Sequence, residues 1–187
     1  MRIVAIDGAL NHSGWVVLDV DAEKLESIKS VKNGKIVPKT NMSLASKLLY
    51  IRQELIKLFR TYEPDMIVFE DTYAGKNPKT TSRLNNAKGV ILMTAYEWLN
   101  KEPACVKAIE ARACLGFKNG KEPKREPWEY FRAKYKLKMG FKAGNDITDA
   151  YTLGWWYVKS TGEGCVERKK QSLRLKKVAT RDNKRYG

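Results

Sequence analysis

The stretch Arg2-Ile3-Val4-Ala5-Ile6-Asp7-Gly8 decides how this chain is read. Ile3, Val4 and Ile6 run almost without interruption into a carboxylate and a glycine, the pattern of a short buried strand. Gly8 to Gly14 is too short for a crossover, so the apolar run Trp15 to Val20 returns as its hairpin partner. A third, weaker strand is predicted over 26–37, with Asn33-Gly34 as its turn signal. Then the period changes. Leu44, Leu48, Ile51, Leu55, Leu58, Phe59 and Tyr62 recur at three- and four-residue steps and predict a helix over 43–62, stopped by Pro64. Met66-Ile67-Val68-Phe69 is a fourth strand ending at Glu70. Leu84, Ala87, Ile91, Ala95 and Trp98 mark a helix face over 80–100. Val106 to Ile109 reads as a fifth strand, 127–137 as a helix, and a last helix starts near Asp146 and runs past Val158. Three meandering strands followed by alternating helix and strand predict an α/β fold with a mixed sheet.

Composition narrows the partners. Of 187 residues, 36 are Lys or Arg and 21 are Asp or Glu, a net charge of +15. Folding does not need that excess and is opposed by its self-repulsion, so a polyanion is the expected partner. Nine of the basic residues fall between Arg168 and Arg185. The chain therefore divides into a folded domain over 1–160 and a basic tail over 161–187. No apolar run reaches the ~18–20 residues of a membrane span. The early carboxylate at Asp7 argues against a signal peptide. Three cysteines, Cys105, Cys114 and Cys165, support neither a disulfide framework nor a structural zinc and point to a reducing interior. The single histidine, His12, excludes a multi-histidine metal centre.

Four acids stand where chemistry would want them. Asp7 and Glu70 end strands, and the carboxyl ends of strands are where α/β sheets place sites. Asp146 and Asp149 are three apart on one helix face. Carboxylates converging without matching cations repel, and such a set is tolerated when divalent cations neutralise it; oxygen ligands suit Mg²⁺ or Mn²⁺. Two ions about 4 Å apart would clamp the attacking and leaving oxygens of a phosphodiester. Taken singly, each acid also has a structural reading: Asp7 before Gly8 as a turn residue, Asp146 as an N-cap, Asp149 as a helix-dipole partner and Glu70 as a solvated strand end.

These residues resemble a family. Ala5-Ile6-Asp7-Gly8-Ala9-Leu10 with Ser13-Gly14-Trp15-Val16-Val17 is similar to the first motif of the RuvC-type Holliday junction resolvases. Phe69-Glu70 with Tyr73, Lys76-Asn77 and Ala87-Lys88-Gly89 resembles the second, and Asn145-Asp146-Ile147-Thr148-Asp149-Ala150 resembles the closing D-x-x-D-A. The resemblance covers about residues 2–160. It implies an RNase H-like five-stranded mixed sheet of order 3-2-1-4-5 flanked by helices. It also implies a homodimer, and Mg²⁺-dependent nicking of four-way junctions or related flaps and forks in a bacterial or phage-infected cytoplasm.

Carried over by position, Asp7, Glu70, Asp146 and Asp149 are the metal-binding catalytic acids. Lys107 and Lys124 are the basic positions, the latter through Gly120-x-x-x-Lys124. Tyr73 is the aromatic that wedges into the open junction, with Lys76 and Asn77 beside it on the DNA. Gly89 and Ala87 lie where helices of two subunits would meet. The chain departs from the pattern at Asp7-Gly8-Ala9, where the family has Asp-Pro-Gly, in a longer and more charged 111–127 segment, and in its tail, as expected of a diverged phage- or plasmid-borne member. Two other readings compete: an actin-like nucleotide phosphatase fragment, because Asp7-Gly8 with Gly14 also resembles a phosphate-binding hairpin, and a non-catalytic basic module binding nucleic acid.

Overall fold

The computed structural model describes residues 1–21, 27–71 and 78–161. In chain order the elements are β1 (Arg2–Asp7), β2 (Ser13–Val20), β3 (Ile28–Ile36), α1 (Leu44–Tyr62), β4 (Met66–Glu70), α2 (Pro78–Leu99), β5 (Ala104–Val106), α3 (Ala108–Leu115), α4 (Arg125–Tyr135) and α5 (Phe141–Thr161). The strands form one mixed sheet of order β3-β2-β1-β4-β5. β1 runs antiparallel to β2 and parallel to β4, and β4 is parallel to β5.

Both faces of the sheet are covered, which explains the near-continuous apolar run of β1. Alternate side chains serve opposite layers. Ile3 and Ala5 face α5 together with Val16, Leu18 and Val68. Val4 and Ile6 face α1 and α2 together with Val17, Ile67 and Phe69. On the first face, Phe131, Tyr135 and Tyr151 stack in near-parallel pairs. On the second, Ile51, Leu55 and Phe59 of α1 meet Ala87, Ile91 and Ala95 of α2. α1 is capped by Ser43, whose hydroxyl accepts from the Ser46 N–H, and ends at Glu63 in the left-handed region.

Several local expectations give way. Asn33-Gly34 is not a turn but lies inside β3, where a Cβ on Gly34 would fall 2.5 Å from the Trp15 ring. The fifth strand lies earlier than predicted. Lys107 is extended as the N-cap of α3, and Ala108 and Ile109 open that helix, which the sequence pattern misses because Ile109 is exposed. α5 begins at Phe141, not near Asp146. Gly140 and Gly144 weaken the helical signal, yet Gly144 is needed for close packing against Met139 and Trp128. Ala87 belongs to the core rather than to an outer face. Cys105 is a free thiol. No helix among the described residues is long and apolar enough to cross a membrane.

Candidate active site

The sheet register brings the first two acids together. Asp7 is the last residue of β1 and stands opposite Gly14 of β2. Ile6 is level with Phe69 on the parallel neighbour β4, so Glu70 leaves the sheet at the same end as Asp7. α5 then crosses this end. A Cβ on Gly14 would fall 2.3 Å from the Asp146 carbonyl oxygen, so only glycine lets the β2 hairpin and the α5 backbone approach this closely. A second glycine, Gly154, lets α5 lie on Leu18 and Ala5 further along.

Three of the four expected acids form an electrostatic cluster. Burial pushes the Asp7 carboxyl well above the usual range, and the neighbouring Asp149 and Glu70 charges push it further; Glu70 also hydrogen-bonds it, and Lys124 opposes. Asp149 is buried and also raised, chiefly by burial, with Lys124 acting against the shift. The Lys124 ammonium lies 2.5 Å from Asp149 Oδ2. The contact with Asp149 holds the Lys124 proton more tightly than usual, despite the opposing effect of burial. Lys124 thus stands as a cation within an acid cluster.

The fourth acid points elsewhere. Asp146 lies in the second turn of α5, so the N-cap reading fails, and its Oδ2 accepts from Lys35 Nζ at 2.7 Å. Among the described residues no group of three acid, histidine or cysteine side chains is set to hold an ion as it stands. The chemistry of the donor set nevertheless fits a hard cation. Asp149 Oδ1 is buried without a hydrogen-bond partner, and Lys124 already marks the place of positive charge.

Sequence reasoning missed Arg112. It is a buried residue of α3, with Nη1 3.8 Å from Asp149 Oδ1 and Nε donating to Asn119 Oδ1 at 3.1 Å. No local signal marks it, because an arginine in a short helix is expected on the exposed side. Lys107, by contrast, is exposed at the start of α3 and forms no ion pair among the described residues. Lys88, part of the second motif, pairs with Asp71 just beyond Glu70. Tyr73, Lys76, Asn77 and the basic tail lie outside the described residues.

A mixed sheet of this order, with acids at the adjacent ends of β1 and β4 and on the closing helix, defines an RNase H-like fold of the resolvase kind. Thermus thermophilus RuvC in complex with a Holliday junction substrate superposes with a TM-score of 0.72 over 88% of this chain and 98% of that one, at 14% identity. The Fowlpox virus resolvase, also with junction DNA, gives 0.57 over 87% and 100%, at 16% identity.

The family model "Crossover junction endodeoxyribonuclease RuvC" matches residues 3–108, and the chain belongs to that family. A relative of that name from Ehrlichia ruminantium (strain Gardel) is 31% identical over 60% of this chain and 67% of its own length. One from Rhizobium johnstonii is 27% identical over 87% and 92%.

Proposed function

We propose that this chain is a divalent-metal-dependent endodeoxyribonuclease that resolves four-way DNA junctions, acting as a homodimer with two Mg²⁺ ions per site. The observation that carries this reading is the convergence of Asp7, Glu70 and Asp149, with Asp149 Oδ1 buried without a hydrogen bond, at one end of a RuvC-family sheet. Enzymes of this family depend on divalent metals. Asp7, Glu70 and Asp149 are the residues that would hold the ions, with Asp146 as the remaining acid of the set. Bound ions supply charge neutralisation and an activated water for phosphodiester hydrolysis.

The protein's own part is to keep three carboxylates close against their repulsion, and it does so by fixing them at the ends of β1 and β4 and on α5, although burial of Asp7 and Asp149 works against their ionisation. Lys124 and Arg112 moderate that repulsion, and Lys124 is the cation that would meet the negative phosphate. Tyr73 stacking on an open base, with Lys76, Asn77 and Lys107 on the backbone, completes the proposed DNA contact; base–aromatic stacking contributes ~1–3 kcal/mol. The nucleotide-phosphatase reading needs two lobes, and the described residues form one sheet. The binding-module reading leaves the buried acids without a reason.

A labelled four-way junction, flap, fork and duplex, each incubated with Mg²⁺, Mn²⁺ or EDTA, tests the proposal. Symmetric nicks on the junction with either metal and none with EDTA are expected. Glu70→Gln should abolish nicking while leaving junction binding intact or tighter, since repulsion of phosphate is relieved. Near wild-type cleavage by that variant would remove Glu70 from the site.

A further inference from the structure

Beside the acid cluster lies a second concavity whose charge is opposite. A cleft of about 650 Å³ opens between the β1–β2 turn, β3, α2 and the first turns of α5. Asn11, His12, Lys35, Arg83, Lys142 and Asp146 are among the residues that line it. Three cations from three different elements face one carboxylate, and that carboxylate is already paired with Lys35. Arg83 and Lys142 pair with no acid among the described residues. Lys47 adds a fourth cation at the rim, where its Nζ donates to Asn11 Oδ1 at 2.7 Å.

Unpaired cations gathered in a concavity raise the local concentration of an anion, and backbone phosphate is the anion that Arg and Lys meet most readily on DNA. The cleft also neighbours the acid cluster along the backbone. Asp7 stands opposite Gly14, Gly14 rests on the Asp146 backbone, and Asp146 precedes Asp149 by three residues, about 4.5 Å of helix.

We propose that this cleft binds a backbone phosphodiester of the cleaved strand, next to the scissile phosphate, with Arg83 and Lys142 as its direct contacts and Lys35 shared between that phosphate and Asp146. The proposal rests on the nuclease reading above and adds to it the path that the strand takes: out of the acid cluster, over Gly14 and along α5 towards its N-terminal end. None of these three cations belongs to the motifs that carry the family resemblance.

The test is binding without cleavage. Full-length Arg83→Ala/Lys142→Ala is compared with wild type for a labelled four-way junction in EDTA, by anisotropy over a range of KCl concentrations. Both residues are exposed, so the fold should survive; Arg83→Gln/Lys142→Gln replaces the pair if the melting temperature falls. A Lys57→Ala/Lys101→Ala variant, on exposed surface away from the cleft, controls for the loss of two charges. Lys35 is left in place because its removal would also release Asp146.

The slope of log affinity against log salt should flatten by about 0.9 per protomer, for the one phosphate that loses its contacts, and by clearly less in the control. A slope in the cleft variant equal to that of the control overturns the cleft assignment while leaving the nuclease reading intact. Failure of the wild-type protein to bind branched DNA overturns both.

Discussion

Asp7 combines two demands that oppose each other. It is nearly inaccessible, and it sits among other carboxylates, so ionising it in the folded protein without a cation is unfavourable. A carboxyl whose folded pKa is raised contributes stability at low pH and loses it as pH climbs through the folded value. Asp7→Asn should therefore melt higher than wild type at neutral pH in EDTA, by a few degrees if the relief is about 1 kcal/mol. The gap should close below pH ~4, where both forms are neutral. Added Mg²⁺ should raise the wild-type melting temperature and not that of the variant. Scanning calorimetry across pH, with and without metal, checks all three. A wild type more stable than Asp7→Asn in neutral EDTA would mean the carboxylate is well compensated without metal.

At the scale of elements, the site depends on how closely α5 can lie across the ends of β1 and β2. Gly14 permits that approach, and an added Cβ would meet backbone rather than a flexible side chain. Neither partner can yield without moving the helix that carries Asp146 and Asp149. Gly14→Ala is thus expected to destabilise the fold by about 1–3 kcal/mol through overpacking. It should also depress cleavage more than it depresses junction binding, because the acids move while the basic surface does not. Urea denaturation and single-turnover cleavage on one preparation measure the two effects; equal losses in both would place the damage in general folding. The longer α5 also gives Asp149 a firm platform, with about two helical turns ahead of it rather than a frayed end.

For the whole molecule, the exposed stripe of α2 is the feature that a monomer does not explain. Leu92, Met93 and Tyr96 are exposed, each more than a third accessible, and Gly89 beside them has open space around its Cα. The opposite stripe, Ala87, Ile91 and Ala95, is buried on the core. A four-way junction offers two symmetric strands and one chain offers one acid cluster, so paired cuts ask for a two-fold dimer, most simply through this stripe. Leu92→Glu/Met93→Glu should sediment as a monomer and turn paired incisions into single nicks. A dimeric variant, or a monomeric wild type on DNA, would place the contact elsewhere. The basic residues from Arg168 to Arg185 act on another term. Removing residues 163–187 should weaken binding to all DNA shapes alike and flatten the salt slope, while junction preference survives. Lost preference with an unchanged slope would assign the tail a different task.

Much of this was legible in the linear chain for a physical reason. Strand and helix periods are local, so the apolar runs ending at Asp7 and Glu70 and the face of α1 appear in the residue order itself. Sheet order followed from the motif resemblance, and the observed order agrees. What depended on tertiary structure is what contact alone determines. Arg112 is recognisable as Asp149's neighbour only once α3 packs on α5, and α3 was hidden because an exposed Ile109 mimics a strand residue. Gly34 looks like a turn until the Trp15 ring lies over it. Asp146 and Asp149 share one helix face in sequence, yet Lys35, 111 residues away, turns Asp146 into the basic cleft while Lys124 and Arg112 hold Asp149 among the buried acids. Residue order can nominate a carboxylate; which charge it meets is settled by the chain's return from a distance, because Coulomb energy depends on separation in space.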